Sequence, residues 1–422
     1  MRPAEYLPAT HRWKNRFCAL GLTVWLLACW PVAAAAGPAH ALSAAAALIG
    51  PRDAILVLTP AGHRLLSKNA DQGLVPASTL KLLTALAALH YLGDDFRFRT
   101  EFYIDRRQNL KVKGYGDPLL ISETLDTAAA RLAGRLKKKS VRMADMVLDD
   151  SYFAQPLNIP GRGNSFQPYD APNGALCANF NTVSFKRDAG GKLISAEPQT
   201  PLVPPAPARI RASHLAQGRI PLATRKDALL YVGNLLCYFL GAHGLPCNSR
   251  IRSGRVDLRR DQLIYRHMTP ERLGQVVARL LRYSNNFIAN QLLVHCGIAL
   301  SGPPGTLAKG VNAVSAFARG LGVRGLRLVE GSGISRKNRI SARGLMKVLT
   351  AFAPYRHLMR HAAGDWYKTG TLRGIHTRVG FLESGGREFY RYVVLVNTPG
   401  RSAAPVMDIL HRALCGRGHR PG

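Results

Sequence analysis

Three short polar motifs contain the residue types that nucleophilic catalysis needs. They are Ser78-Thr79-Leu80-Lys81, Ser284-Asn285-Asn286 and Lys368-Thr369-Gly370. Ser78 and Lys81 are three positions apart, so at a helix start both side chains lie on one face within hydrogen-bonding reach. A serine hydroxyl is a poor nucleophile until an adjacent base takes its proton. We therefore predict that Ser78 is a nucleophile and Lys81 its general base.

The second and third motifs supply groups that would support this pair. Lys81 accepts a proton only when it is neutral, which requires burial or a second positive charge nearby, and Lys368 is the candidate for that charge. Ser284 and Asn286 follow a predicted helix, at a break where side chains can point into a cleft. We predict that Ser284 relays a proton and that Asn286 orients Lys81 and the substrate.

The third motif has the chemistry of a substrate-binding strand. Lys368 and Thr369 would present a cation and a hydroxyl to a substrate carboxylate. Gly370 has no side chain and would let a substrate backbone lie against the strand. Each motif alone has an ordinary structural interpretation, such as Ser78 capping a helix that carries a solvated lysine. The combination is what favours catalysis.

The surrounding sequence predicts the elements that position these motifs. Two apolar runs around a Pro-Ala-Gly-His turn predict a hairpin at 54–66, and a helix is predicted from Thr79 to about Tyr91. Helical periodicity returns at Thr269, and strand-like segments follow at 365–371, 377–382 and 390–397.

Residues 96–262 differ from the flanking segments in their composition and hydrophobic pattern, and they separate the first two motifs. Short alternating strands, a basic helix that ends at 135–139 and a proline-rich stretch at 198–207 predict an inserted, strand-rich region. Residues 42–95 plus 263–422 then form a discontinuous catalytic domain of 214 residues, a reasonable size for one domain.

Composition narrows the class of protein. Of 422 residues, 47% are apolar and 20% charged, which excludes a largely disordered chain and a multi-span membrane protein. The formal net charge is +33, and no carboxylate occurs between Arg272 and Val329. Basicity spread through the body of the chain favours an anionic setting such as a lipid or cell-wall surface.

Residues 1–41 are typical of a signal peptide. A basic n-region precedes an apolar run at 17–32 and a small-residue stretch, which places cleavage after Ala41, with Ala36 as a second choice. The mature chain is then expected to be periplasmic. An uncleaved anchor at 17–36 and lipidation at Cys29 are the alternatives.

Cysteines and histidines give weaker signals. Five cysteines follow the signal peptide, so at least one thiol stays free, and Cys237 with Cys247 is the pair we expect to bridge. His357, His361 and Asp365 are spaced four apart, but their Arg-rich context favours a solvated basic helix over a metal site. We expect no metal and no cofactor.

The three motifs in this order resemble the signature of the penicillin-binding proteins and serine β-lactamases. Residues 76–84 are similar to the nucleophile segment of the penicillin-binding protein 4 type D-alanyl-D-alanine carboxypeptidases, the low-molecular-weight class C enzymes. Other stretches similar to that family are 116–118, 149–153, 330–335 and 368–372. The resemblance extends over residues 54–397.

The resemblance implies a fold and a reaction. The fold would be of the α/β (α+β) class, a transpeptidase/β-lactamase-like antiparallel sheet flanked by helices, with the Ser78 helix central and the Lys368 strand at the cleft edge. The reaction would be acyl transfer from the D-Ala-D-Ala bond of a peptidoglycan stem peptide to Ser78, followed by hydrolysis. Backbone N–H groups of Ser78 and Thr371 would form the oxyanion hole.

Expected partners are the stem peptide, β-lactam antibiotics as inhibitors and an anionic envelope surface; nucleic acid is not expected, and the oligomeric state stays open. D,D-endopeptidase activity on cross-links is also expected. Two alternatives remain, a β-lactamase and a non-enzymatic wall-binding protein on the same fold. The class A β-lactamases place a deacylating Glu beyond the second motif, where this chain has no acidic residue until Glu330.

Overall fold

The computed structural model describes residues 38–247, 249–384 and 388–415. Its helices are α1 (Pro38–Ala47), α2 (Lys81–Leu92), α3 (Ser122–Lys138), α4 (Ala206–Ser213), α5 (Arg225–Ala242), α6 (Leu273–Tyr283), α7 (Asn286–Ser301), α8 (Leu307–Gly320), α9 (Ala342–Phe352) and α10 (Ala404–Leu414). Its strands are β1 (Asp53–Leu58), β2 (Arg64–Lys68), β3 (Arg99–Ile104), β4 (Leu110–Gly114), β5 (Met146–Asp149), β6 (Thr182–Arg187), β7 (Leu193–Ser195), β8 (Gly218–Pro221), β9 (Ile251–Ser253), β10 (Gln262–Met268), β11 (Arg360–Ala362), β12 (Asp365–Leu372), β13 (Ile375–Glu383) and β14 (Phe389–Val396).

A six-stranded antiparallel sheet joins the two ends of the described chain. Its order is β11-β12-β13-β14-β1-β2, and the predicted hairpin is the β1–β2 pair. β1 pairs with β14 from Asp53↔Val396 to Leu58↔Arg391, so the sheet needs both segments of the sequence. Together with the helices packed on it, this confirms the predicted antiparallel sheet flanked by helices.

Helix α2 lies at the centre of the main hydrophobic core. Its residues from Lys81 to Leu89 are buried, and it contacts α6, α7, α8 and α9 as well as the short 3₁₀ turn Ala77–Leu80 that precedes it. A helix that is apolar on all sides must be covered on all sides. The Ser78 helix is therefore central, as the resemblance implied.

The region between β3 and β10 has its own sheets and its own core. Its larger sheet has the order β10-β3-β4-β5-β9, and antiparallel pairing of β3 with β10 brings the start and end of the region side by side. β4, β5 and β9 pair in parallel, and helices α3 and α5 pack against one another. The prediction of a strand-rich region missed α5. The division of the chain into domains stays a prediction.

The Cys237–Cys247 disulfide closes the end of α5, as we expected. Among the described residues Cys177, Cys296 and Cys415 are free thiols.

Most of the predicted signal peptide lies outside the described residues, which begin at residue 38. The favoured cleavage point after Ala41 falls inside α1, where Leu42 and Ala45 are buried beside Val406 and Leu410 of α10. Within the described ranges, no helix is long and apolar enough to cross a membrane.

Candidate active site

Ser78 lies in a strained turn that leads into α2. Ala77, the residue before it, is buried and has a φ of 49°, a value that L-residues other than Asn and Asp rarely adopt. Gly333 lies against this turn, where an added Cβ would sit 1.8 Å from the Ala77 carbonyl oxygen. Strain of this kind persists only where the surroundings hold it, and it is common at active sites.

The Lys81 amine contacts residues of the first two motifs and one carbonyl oxygen outside them. Its Nζ lies 2.8 Å from Ser78 Oγ, 2.7 Å from Asn286 Oδ1 and 2.7 Å from the Ser332 carbonyl oxygen. A neutral amine has two hydrogens and one lone pair. Asn286 Oδ1 and the Ser332 carbonyl oxygen can only accept hydrogen bonds, so each can accept one from the amine. The lone pair of the amine is then left to accept a hydrogen bond from the Ser78 hydroxyl.

The surroundings of Lys81 favour that neutral form. The side chain is 0% exposed. Burial first, and then the positive charge of Lys368, lower the pKa of the Lys81 amine well below its usual value, whereas the Glu330 carboxylate acts in the opposite direction.

Strand β12 brings the third motif alongside the Ser78 turn. Lys368 is buried, and burial, aided by the charge of Arg360, lowers its pKa to about 8. An added Cβ at Gly370 would lie 2.7 Å from the Ser78 backbone nitrogen and 2.9 Å from the Pro76 carbonyl oxygen. The glycine therefore lets β12 approach the nucleophile turn itself, a reason that the sequence did not reveal.

Thr369 and Thr371 alternate with Lys368 and Gly370 along β12 and are exposed. Both belong to the strand that pairs with β13, where Thr371 is opposite His376. The buried Thr377 of β13, which pairs with Gly370, donates to the Pro76 carbonyl oxygen at 2.8 Å. Both β12 and β13 therefore contact the turn that precedes Ser78.

The second motif is divided between two helices. Ser284 ends α6 with a φ of 53°, and Asn285 caps α7 by accepting a hydrogen bond from the Ile288 N–H at 3.0 Å. This turn aims Asn286 at Lys81. In the described part of the chain, no hydrogen bond joins the Ser284 hydroxyl to Ser78 or Lys81, so its predicted relay role stays a prediction.

A buried loop that begins at Glu330 supplies the Ser332 carbonyl, and no role for this loop was predicted from the sequence. One Glu330 oxygen accepts from the Ser332 N–H and hydroxyl, both at 2.6 Å, and the other accepts from the Gly333 N–H and the Asn338 amide, both at 2.7 Å. Thr84 of α2 donates to the Gly331 carbonyl at 2.7 Å. The Glu-Gly-Ser-Gly run was the available signal, but its hydrogen bonds depend on tertiary structure.

The segment with His357, His361 and Asp365 is not the helix that the sequence suggested. Residues Ala353–Leu358 form a 3₁₀ helix, and β11 follows and pairs with β12, where the His361 ring stacks on Trp366 at 4.2 Å. Asp365 is buried and accepts from Tyr392 and Arg378.

Comparisons with known proteins agree with this geometry. A model described as the D-Ala-D-Ala carboxypeptidase 3 (S13) family matches residues 42–219 and 215–364. The chain belongs to this family. It is 28% identical over 355 residues to a D-alanyl-D-alanine carboxypeptidase from Actinomadura sp. (strain R39), a match that spans 70% of this chain but only 63% of that enzyme.

Solved structures are similar over a larger share of their length. The crystal structure of penicillin-binding protein 4 (dacB) from Haemophilus influenzae superposes with a TM-score of 0.72 at 20% identity, covering 89% of this chain and 99% of that one. A structure of the same protein in complex with a β-lactam gives a TM-score of 0.69, with the same identity and coverage. These similarities establish the shared fold.

Proposed function

We propose that this chain is a serine-type D-alanyl-D-alanine carboxypeptidase that removes the terminal D-alanine from peptidoglycan stem peptides through a Ser78 acyl-enzyme. The observation that carries the proposal is the buried Lys81 amine, 2.8 Å from Ser78 Oγ, with Asn286 and Ser332 positioned to take its hydrogens. Membership of the D-Ala-D-Ala carboxypeptidase 3 family supports the choice of substrate.

Acylation begins when the neutral Lys81 amine takes the proton of the Ser78 hydroxyl. Ser78 Oγ attacks the carbonyl carbon of the D-Ala-D-Ala bond, and the resulting oxyanion accepts hydrogen bonds from the backbone N–H groups of Ser78 and Thr371. The C–N bond then breaks, and the proton held by Lys81 reaches the departing D-alanine amine, with Ser284 as the relay. Water hydrolyses the ester and restores Ser78.

The third motif binds the end of the substrate. The Lys368 ammonium and the Thr369 hydroxyl hold the terminal carboxylate of the stem peptide, and Gly370 allows the peptide backbone to lie along β12. Asn286 fixes Lys81 on one side and the substrate amide on the other. The scheme uses no metal or cofactor.

The same site should cleave D,D cross-links and react with β-lactams. A cross-link presents the same D-Ala carbonyl with a longer leaving amine, so D,D-endopeptidase activity requires only that the leaving side be open. The β-lactam complex of the similar Haemophilus influenzae protein supports acylation by penicillins here. We further infer that the chain is exported to the periplasm, where this substrate lies.

Release of D-alanine from a soluble pentapeptide tests the assignment. Wild-type protein should release D-alanine, Ser78→Ala should release none, and Ser67→Ala, at an exposed serine on β2, should behave as wild type. Release of D-alanine by Ser78→Ala at the wild-type rate would refute the assignment of Ser78 as the nucleophile.

Two further measurements on the wild-type protein distinguish the proposed carboxypeptidase from the two alternatives. Rapid, repeated turnover of nitrocefin would favour a β-lactamase. A folded protein that binds cell wall but neither releases D-alanine nor reacts with penicillin would favour the non-enzymatic alternative.

A further inference from the structure

A cavity of about 600 Å³ opens beside the second motif and extends over the region between β3 and β10. We call it the side cavity. Its volume is within the range of about 300–1,000 Å³ that is typical of small-molecule sites. Ser284 and Asn286 line one end, and Gln199 and Arg219 lie in the part contributed by the other region. Asn286 belongs both to the wall of this cavity and to the Ser78 site, where its Oδ1 contacts Lys81.

Exposed aromatic side chains form part of the wall. Tyr169 is 53% exposed and Tyr283 is 69% exposed, and both line the side cavity. Phe180 adds a third ring, which contacts Phe287 edge-to-face with ring centres 6.1 Å apart. Exposed aromatic rings that converge on one cavity provide stacking surfaces for a ligand that has apolar faces.

The backbone that carries Phe180 is strained, and buried side chains hold it in place. Asn179, Phe180 and Asn181 have φ values of 50°, 60° and 54°, although L-residues normally adopt this left-handed region singly. The Asn179 amide donates to Ser122 Oγ at 2.9 Å, and the Asn181 amide donates to the Pro172 carbonyl oxygen at 2.8 Å. Strain held by surrounding hydrogen bonds is a mark of functional sites.

The charge of the side cavity differs from that of the whole protein. Glu123 and Glu197 balance Arg219 and Arg279 among its lining residues, although the chain has 58 basic and 25 acidic residues. Glu197 pairs with Arg219, and the Gln199 amide donates to Glu123 at 3.0 Å. A balanced set of donors and acceptors suits a neutral polar ligand better than a polyanion.

We propose that the side cavity binds the amino-sugar part of the substrate, a neutral N-acetylated disaccharide of the glycan strand to which the stem peptide is attached. The proposal rests on the proposed function. Sugars combine apolar ring faces with hydroxyl and amide groups, which fit aromatic platforms flanked by Gln199 and the Glu197–Arg219 pair. The stem peptide itself carries several carboxylates and fits this neutral surface less well.

The reach of the substrate is compatible with this assignment. Four stem residues separate the scissile carbonyl from the sugar, and an extended chain of four residues spans at most about 14 Å. The side cavity begins at Asn286, which also contacts Lys81. Binding there would select peptides that are still attached to glycan.

The test compares two substrates that differ only in the sugar. D-Alanine release by the full chain is measured on a disaccharide pentapeptide and on the same pentapeptide without sugar. We expect wild-type kcat/KM to favour the disaccharide form by about tenfold, the gain from one or two net hydrogen bonds. Tyr283→Ala and Gln199→Ala should each lower this ratio. Tyr238→Ala, at a tyrosine that is 54% exposed outside the side cavity, should keep it.

Penicillin acylation rates show whether each variant keeps a working Ser78 site. Gln199 is essential to the test, because Tyr283 adjoins Ser284 and Gln199 does not. Equal kcat/KM for both substrates in the wild type, or a ratio kept by both variants, would overturn the proposal. So would a preference for sugar-free cross-linked peptides that both variants lose, since the cavity would then bind peptide. Release from neither substrate would instead contradict the proposed function, and this proposal with it.

Discussion

Single residues at the site are arranged at a cost to stability that catalysis explains. Lys81 is buried, and its hydrogen-bonding partners come from three separate parts of the chain: the 3₁₀ turn Ala77–Leu80, α7 and the Glu330 loop. Burial of an amine is unfavourable unless it is neutral or well paired. The lowered pKa of Lys81 is the result, and a neutral amine is what Ser78 requires.

Replacing Lys81 separates catalysis from folding. Lys81→Met should lower the rate of penicillin acylation by about 10²–10⁴-fold, the usual contribution of a general base. Its melting temperature should change little, because the hydrogen bonds lost to Asn286 and Ser332 are offset by burying an apolar side chain of similar length in place of an amine. Stopped-flow acylation and thermal unfolding measure the two effects. Lys347→Met, at an exposed lysine of α9, is the control; acylation by Lys81→Met at the control's rate would exclude Lys81 as the base.

The pH profile should report Lys368 on its alkaline side. The pKa of Lys368 is about 8, so the ammonium that we propose binds the substrate carboxylate is present below pH 8 and is lost above it. kcat/KM for a pentapeptide should therefore fall as the pH rises through about 8. Lys368→Arg keeps its charge and should move this alkaline limb to higher pH. An unmoved limb in Lys368→Arg would assign the titration to another group.

At the scale of elements, the site depends on a loop in which several hydrogen bonds converge on one carboxylate. Glu330 satisfies N–H groups of Ser332 and Gly333 and the Asn338 amide, so it fixes the carbonyl that faces Lys81. Glu330 acts through Ser332 and Lys81 and is a positioning residue.

Glu330→Gln should weaken both the loop and the site. The side-chain amide has one NH₂ group where the carboxylate had a second accepting oxygen, so some of the surrounding donors lose their acceptor. The unsatisfied groups should lower the free energy of unfolding by about 1–3 kcal/mol. Acylation should also be slower in Glu330→Gln than in the control Asp71→Asn, which removes an exposed carboxylate paired with Arg343. Denaturant unfolding and penicillin acylation provide the readouts; equal behaviour of the two variants would contradict the role of Glu330.

The sequence predicted those elements whose signal is local. The β1–β2 hairpin, the start of α2 and the strand with Lys368 followed from apolar periodicity and turn residues. The role of Glu330 could not be predicted in this way, because its hydrogen-bonding partners come both from Asn290 of α7 and from the loop at 330–338. Helix α5 was missed since its apolar residues are buried on several sides, which hides the helical period. The contact of Gly370 with the Ser78 turn likewise exists only once β12 is placed.

At the scale of the whole molecule, charge and site act separately. The chain has a net charge of +33, whereas the side cavity lining is balanced. We therefore propose that the excess charge attracts the protein to anionic envelope components, whereas the cavity selects the substrate.

This attraction should depend on salt. The Debye length falls from about 10 Å at 0.1 M to about 3 Å at 1 M ionic strength, so exposed charges are screened at high salt. Association of the protein with isolated envelopes should be strong at low salt and should drop sharply towards 1 M, whereas pentapeptide cleavage should change much less. Sedimentation with envelopes measures the first quantity. Association that does not respond to salt would show that charge is not its cause.

The central claim is that Ser78, activated by Lys81, forms a covalent bond with the substrate carbonyl. Mass spectrometry of the benzylpenicillin-treated protein, followed by peptide mapping, tests it directly. We expect one penicilloyl group per chain on the peptide that contains Ser78, and none in Ser78→Ala. An adduct on another residue, or one that persists in Ser78→Ala, would contradict it.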